Sequence, residues 1–172
     1  SKKGSGPFAI PFECFIPEKI DGFLAAEKNI SQSRLVNGAT RLQPSTMLMG
    51  QAAGAIAALA LEHGAQPRHL DPVLVQRALL AEGATLLITP LRDVARDSRE
   101  WKAVQLVAVH GMLSPDKGRF GPEQPVSGEQ LRGVMREMFG KDAGAPEGPV
   151  SRGAFAAALR SGLAGTPVAV DF

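Results

Sequence analysis

The chain lacks the residues that define several classes of protein. It has 172 residues and a single cysteine, Cys14, which excludes an internal disulfide framework and leaves the redox compartment open. Its 19 basic and 17 acidic residues nearly balance and form no dense basic run, so nucleic acid is not an expected partner. The three histidines, His63, His69 and His110, lie too far apart for a local metal cluster, and no cysteine or carboxylate spacing completes one. We therefore expect no metal site.

A long helix without a charged residue is the strongest local signal that is present. The sequence RLQPSTMLMGQAAGAIAALA, residues 41–60, predicts a helix that opens with Pro44, ends near Leu61 and is built to be buried. The amides of its first turn, from Ser45 to Met47, carry the positive end of the helix dipole and suit an anionic or electron-rich oxygen. Small residues recur along it at helical spacing and form a stripe on which a backbone or a flat ligand can approach closely: Gly50, Ala53, Gly54 and Ala57.

The same helix has two other interpretations. It is long enough to cross a membrane, but it is mostly alanine and glycine and holds several polar residues, so no transmembrane segment is expected. It also fits a plain core helix of an α-rich domain. From the residues alone, the core helix is the simpler interpretation.

Three segments in the first half of the chain resemble a known family. PFAIPFECFIP (residues 7–17), the segment GFLAAEKNISQSRLVNGATRLQPSTMLMGQAAGAIAALALEHG (22–64) and LDPVLVQRALLAEGATLL (70–87) are similar to the C-terminal part of FAD-dependent oxidoreductases. The resemblance implies a strand over residues 23–26, then a loop, and then a helix whose N-terminus faces the flavin ring. It also implies which residues lie nearest the isoalloxazine of FAD: Asn29, Arg41, Pro44, Ser45 and Thr46.

Arg41 has two interpretations. As the last charge before the apolar helix, its guanidinium could stabilise negative charge on the reduced flavin. Alternatively, it caps a loop or pairs with Glu27. Cys14 lies in the segment that the resemblance places near the flavin, and a buried structural thiol is favoured over a redox-active one. No residue is assigned a catalytic role.

The glycine-rich G-x-G-x-x-G turn that holds the pyrophosphate in such flavoproteins does not occur in the chain. We therefore expect the chain to be the C-terminal portion of a longer polypeptide, with the missing N-terminal dinucleotide-binding domain as its partner. FAD would then be bound by the parent protein, and this portion alone would catalyse nothing.

Capping residues mark the end of this first region. Asp71 can cap a helix, Pro72 suits its first position and Gly83 fits just past its last turn. One apolar face is expected, from Leu74, Val75, Ala78 and Leu79. Composition shifts after this helix, which places a domain boundary near Thr89 and gives domains 1–89 and 90–172.

Residues 92–131 are similar to an S-layer homology motif. The marked positions are Asp93-Val94, Trp101, Ala103-Val104, Gly111, Phe120, Pro122 and Pro125-Val126. Ser98 is expected to cap a helix with Trp101, Val104 and Ala108 on one face, and Gly111 to end it. Trp101 could stack on a sugar, but its place on the apolar stripe favours the core. Asp116-Lys117-Gly118 predicts a turn rather than a calcium loop.

A second helix opening follows and is then repeated. Ser127 and Gln130 make a capping box, with Val126 and Leu131 at hydrophobic-staple positions. The same opening recurs 24 residues later, where Ser151 takes the place of Ser127, and Val150 and Phe155 form the staple.

These residues differ from the S-layer homology motif at one position, where members of that family have an arginine that binds envelope polysaccharide. The first copy has Gly128 at that position, and only the second has Arg152. We therefore favour a packing role for residues 90–172. The alternative is that the chain is a non-catalytic binding module for cell-envelope polysaccharide or a protein partner. The expected fold is mostly α with a few short strands, in which a C-terminal fragment of a flavoprotein FAD-binding fold precedes a small helical domain.

Overall fold

A computed structural model describes residues 7–139 and 150–157, with side chains up to residue 133 and from residue 150. The chain forms two compact units, which divide between Ala84 and Thr85. The fold is mostly α, as predicted. In the described ranges β-structure is limited to two isolated antiparallel bridges, Asp116 with Arg119 and Pro125 with Ser151. The boundary expected near Thr89 and the two named domains stay predictions.

The first unit is built around one long helix. Helix α1 spans Arg34–Thr40, helix α2 spans Gln43–Glu62 and helix α3 spans Pro72–Ala81. Short 3-10 turns cover Phe12–Phe15, Glu27–Asn29 and Pro67–His69. The last two of these turns and both neighbouring helices pack against α2. The family resemblance implied a strand over residues 23–26, but this segment forms no β-ladder with any described residue. It makes one bond between backbones, from the Ala25 amide to the Phe15 carbonyl at 2.9 Å.

Helix α2 begins one residue before the predicted Pro44 and ends one residue after the predicted Leu61, and its burial is one-sided. The inward face consists of Thr46, Met49, Ala53, Ile56, Leu59 and Ala60. On the other side Met47, Leu48 and Leu61 are 75%, 63% and 85% exposed. The predicted burial is therefore met on one face only, because the packed elements of this unit cover only that face. With 20 residues and a mean hydropathy of 1.3, α2 is long and apolar enough to cross a membrane, a test that core helices of soluble proteins also pass.

Both ends of α3 have the residues that the sequence predicted for them. The Asp71 carboxylate accepts a hydrogen bond from the Val73 amide at 2.9 Å, and Pro72 opens the helix. Past its end, Gly83 adopts a φ of 78°, which favours glycine. The inward face differs from the prediction: Leu74 and Val75 are buried, but the other buried positions are Arg77 and Leu80, with Ala78 and Leu79 only half-buried.

The second unit has a buried helix at its centre. Helix α4 spans Trp101–Val109, and seven of its nine residues are buried, including Trp101, so the core role of this tryptophan is confirmed. Gly111 ends the helix with a φ of 70°. The predicted Ser98 cap is wrong, because Glu100 occupies the N-cap and the Trp101 amide donates to the Ser98 carbonyl, not to its hydroxyl. The Ser98 hydroxyl is buried without a hydrogen-bond partner among the described residues.

A tight turn and two similar helix openings complete this unit. Asp116 and Arg119 exchange backbone hydrogen bonds of 2.9 and 2.8 Å around Lys117 and Gly118, which both have positive φ, so the predicted turn is confirmed. Helix α5 spans Gly128–Phe139. Its capping box is present, with the Gln130 amide donating to the Ser127 hydroxyl at 3.2 Å.

The second copy opens in the same way. The Ala154 amide donates to the Ser151 hydroxyl at 3.2 Å, residues 152–157 are helical and Phe155 is buried. The two openings also meet, since the Val126 amide donates to the Val150 carbonyl at 2.8 Å. The sequence repeat therefore corresponds to a pair of equivalent helix starts joined through their backbones.

Candidate functional site

The five residues that the resemblance placed near a flavin gather around the first turns of α2. Arg41 is the C-cap of α1, and Leu42 immediately after it is the N-cap of α2. Asn29 ends the 3-10 turn that packs on α2. That turn sits beside the second turn of the helix, because the Glu27 Cγ lies 4.0 Å from the position that a Cβ on Gly50 would take. The fold thus brings the 27–29 turn and the start of α2 to one place.

A polar network fixes the loop before α1. The Gln32 side-chain amide donates to the Lys28 carbonyl at 3.1 Å and to the Asn37 carboxamide oxygen at 3.3 Å. The buried Thr40 hydroxyl donates to Gln32 Oε1 and to the Val36 carbonyl. Because these bonds tie the chain after the 27–29 turn to α1, they set where Asn29 stands relative to α2. No spacing in the sequence pointed to this network.

The first turn of α2 offers fewer amides than expected. The helix begins one residue earlier than predicted, at Gln43, so the Thr46 amide donates to the Leu42 carbonyl at 3.0 Å. Thr46 is buried, and its hydroxyl bonds to the Gln43 carbonyl at 2.8 Å. Pro44 is exposed and Ser45 is half-buried. Of the 44–46 segment, therefore, Pro44 and Ser45 face outward, whereas the Thr46 side chain stabilises its own helix.

Arg41 is exposed, and its side chain makes no hydrogen bond or ion pair with any described residue. Its backbone amide donates to the Asn37 carbonyl at 3.1 Å, which fixes the Cα position while leaving the guanidinium free. Glu27, the partner considered from the sequence, does not pair with it. A positive charge with unused donors therefore stands two residues before Gln43, the first residue of α2.

The small-residue stripe of α2 lies along the edge between its covered and open faces. Ala53 is buried, Gly50 and Ala57 are half-buried, and Gly54 is exposed. Among the described residues, no atom lies within 4 Å of the position that a Cβ on Gly54 would occupy. At Gly54 the stripe is therefore open to close approach.

Cys14 does not have the surroundings of an activated thiol. Burial raises its pKa above the ordinary value, and the neighbouring Glu13 charge raises it further. Its carbonyl accepts a hydrogen bond from the Ser31 amide at 2.8 Å, so its backbone joins two loops. Cys14 is half-buried, so the buried thiol favoured from the sequence is met only in part.

Arg68 is a positioning residue that the sequence analysis missed. Its guanidinium donates to the carbonyls of Pro17, Glu18 and Ile20 at 2.9–3.0 Å and pairs with the Asp21 carboxylate at 2.7 Å. This clamp holds the 17–21 loop against the turn that follows α2. Its partners lie about 50 residues earlier in the chain, and no local pattern signals such a contact.

Comparison with known families identifies the first unit. Residues 1–79 match the family model for FAD dependent oxidoreductase. This is just under half of the 172 residues, and it contains all five candidate positions. The matched region is therefore a region of the FAD-dependent oxidoreductase family, whose members use FAD. No curated protein and no solved structure gave a significant match.

Arg152, which the resemblance to an S-layer homology motif singled out, uses two of its guanidinium nitrogens in bonds to the backbone. Arg152 Nε donates to the Phe120 carbonyl at 2.7 Å, and a terminal nitrogen donates to the Ser114 carbonyl at 2.9 Å. The guanidinium also lies over the Phe120 ring, 4.7 Å from its centroid. Arg152 thus fastens the glycine-rich and proline-rich loop to the second helix opening. Among the described residues no group of three or more histidine, cysteine or acidic side chains could hold a metal ion.

Proposed function

We propose that the first unit supplies the flavin-proximal helix of an FAD-dependent oxidoreductase, as the C-terminal portion of a longer protein that binds FAD. The observation that carries this proposal is the free guanidinium of Arg41 at the start of α2, within a region matched to that family. Asn29, Pro44 and Ser45 stand exposed or half-exposed at the same end of the helix. Thr46 would contribute by stabilising the first turn, since its hydroxyl is already bonded.

FAD would supply the hydride or electron transfer. The chain would bind and tune the cofactor. Arg41 would stabilise negative charge on the reduced ring, and the dipole of a 20-residue helix would add to that effect. The open small-residue stripe at Gly54 would let another backbone or the cofactor approach closely.

The open face of α2 supports a domain partner. Met47, Leu48 and Leu61 are largely exposed there, and several large exposed apolar side chains on one helix favour a contact with another domain or chain. We propose that the dinucleotide-binding domain of the parent protein covers this face. The wall-binding alternative for the second unit stays a separate proposal. At Arg152, Nε and one terminal nitrogen bond to backbone carbonyls, and the other terminal nitrogen is the group that a polysaccharide oxygen would meet.

The test replaces Arg41 with Met in the parent protein and compares it with Arg34→Met, an exposed arginine at the other end of α1. We expect Arg41→Met to lower the flavin reduction potential by about 30 mV or more, a tenfold change in the equilibrium constant of a two-electron couple. Arg34→Met should leave it unchanged. Equal potentials and visible spectra for both variants and the unmodified protein would refute the role of Arg41.

A further inference from the structure

A cavity of about 580 Å³ lies in the second unit, and none of the residues assigned to the flavin lines it. We call it the Gln105 cavity; its walls include Arg92, Asp93, Arg96, Trp101 and Gln105. Its volume falls in the range of small-molecule sites. Neither the family match nor the proposed function uses it.

Gln105 is the residue that makes this cavity chemically specific. It is 2% exposed, and its Oε1 accepts hydrogen bonds from the amides of Leu86 at 2.9 Å and Leu87 at 3.0 Å. These two bonds fix the orientation of the carboxamide, so the nitrogen is the atom left with unused capacity. Within the described ranges, no acceptor lies at hydrogen-bond distance from Nε2. Because Gln105 lines the cavity, Nε2 is available to donate to an acceptor that occupies it.

The charges around the cavity select the kind of acceptor. Arg92 is exposed, and its guanidinium makes no hydrogen bond or ion pair with the described residues. Arg96 lies over the Trp101 ring, 5.5 Å from its centroid, and brings a second positive charge. The Asp93 carboxylate is already bonded to the Phe120 and Gly121 amides. The lining thus carries two positive groups against one acidic group whose two oxygens both accept bonds.

We infer that the Gln105 cavity binds a small organic carboxylate, with one carboxylate oxygen accepting from Gln105 Nε2 and the other from Arg92. A carboxylate matches this arrangement because its two oxygens can accept from an amide and a guanidinium at the same time. The site is independent of the proposed flavin function, since all its named residues lie in the second unit.

The experiment is an NMR titration of the ¹⁵N-labelled full chain with succinate at constant ionic strength, followed at the side-chain NH₂ of Gln105. Neutral succinamide serves as the matched ligand. We expect succinate to shift these resonances saturably and succinamide to leave them in place. Arg92→Gln should weaken succinate binding about tenfold or more, as expected for one lost charge-assisted hydrogen bond. Arg99→Gln, an exposed arginine outside this cavity, should not.

A second variant removes the donor itself. Gln105→Glu keeps an oxygen for the Leu86 and Leu87 amides but replaces the NH₂ group with a repelling oxygen, so it should abolish succinate binding. Because Arg92 is exposed, its variant keeps the test decisive even where Gln105→Glu alters the fold. No saturable shift with succinate would overturn the proposal and show that the cavity holds water only. An equal shift with succinamide, or equal binding by Arg92→Gln, would overturn it by showing that the charge of the ligand does not select it.

Discussion

Replacing Arg68 with Met should loosen the 17–21 loop of the first unit. The guanidinium makes three hydrogen bonds to carbonyls, those of Pro17, Glu18 and Ile20, and one ion pair with Asp21. A hydrogen bond contributes about 1 kcal/mol net, and an ion pair with a carboxylate as exposed as Asp21, at 65%, contributes about 0–1 kcal/mol. We therefore expect Arg68→Met to lower the free energy of unfolding of this unit by about 2–3 kcal/mol.

The assay must report on the first unit, because the only tryptophan, Trp101, lies in the second. Amide hydrogen exchange at Gly22 and Ala25, which donate to Gln66 Oε1 and the Phe15 carbonyl, monitors the clamped loop directly. Asp21→Asn is the matched control, which keeps the three carbonyl bonds and should cost less than about 1 kcal/mol. Unchanged exchange in Arg68→Met would refute the reasoning, and equal acceleration in both variants would assign the effect to the ion pair instead.

Two further predictions concern the second unit. Burial alone would raise the pKa of Asp93, but hydrogen bonds from the amides of Phe120 and its neighbour, and the charge of a nearby arginine, outweigh it and hold the pKa below the ordinary value. The stability that Asp93 contributes is therefore complete above the pKa of this carboxyl in the unfolded chain, and it is lost as the pH falls below about 4. Asp93→Asn should flatten this part of an acid-unfolding curve, which tryptophan fluorescence can follow. Gly118→Ala should cost about 1–3 kcal/mol in urea unfolding, because φ is 77° and the new Cβ would lie 3.2 Å from the Pro90 carbonyl oxygen. Gly111→Ala, also at positive φ but with open space, should cost less, and an equal cost would refute the steric part of the argument.

Helix ends were the part of the fold that the sequence predicted best. The caps at Asp71, Ser127 and Ser151 and the glycine stops at Gly83 and Gly111 all depend on residues within one turn of the helix end. Such signals are local, so spacing alone shows them. Ser98 marks the limit of this reasoning, because an extra turn between it and Trp101 moved the N-cap to Glu100, which no cap preference predicts.

The contacts that position the sites could not be predicted from the sequence, because their partners lie far apart in the chain. Arg68 reaches carbonyls about 50 residues away, Arg152 reaches carbonyls 32 and 38 residues away, and Gln105 accepts from amides 18 and 19 residues away. In each case a side chain bonds to backbone groups of a loop, and any sequence in that loop would offer the same carbonyls or amides. Sequence patterns identify which helices exist, whereas these bonds depend on which distant loop the fold brings next to each side chain.

The helix α2 shows how the two kinds of information combine. Its uncharged sequence predicts burial, but its own unit covers one face and leaves Met47, Leu48 and Leu61 exposed. At roughly 25 cal/mol per Å² of apolar surface, burying three such side chains would release several kcal/mol, a strong bias toward a covered state. The free guanidinium of Arg41 stands at the start of the same helix, and the open stripe at Gly54 runs along its edge. A surface that is apolar along its length and cationic at one end matches a partner that presents apolar side chains and an electron-rich ring together. A dinucleotide-binding domain that carries FAD is such a partner, and for this reason we favour it over a second copy of the chain.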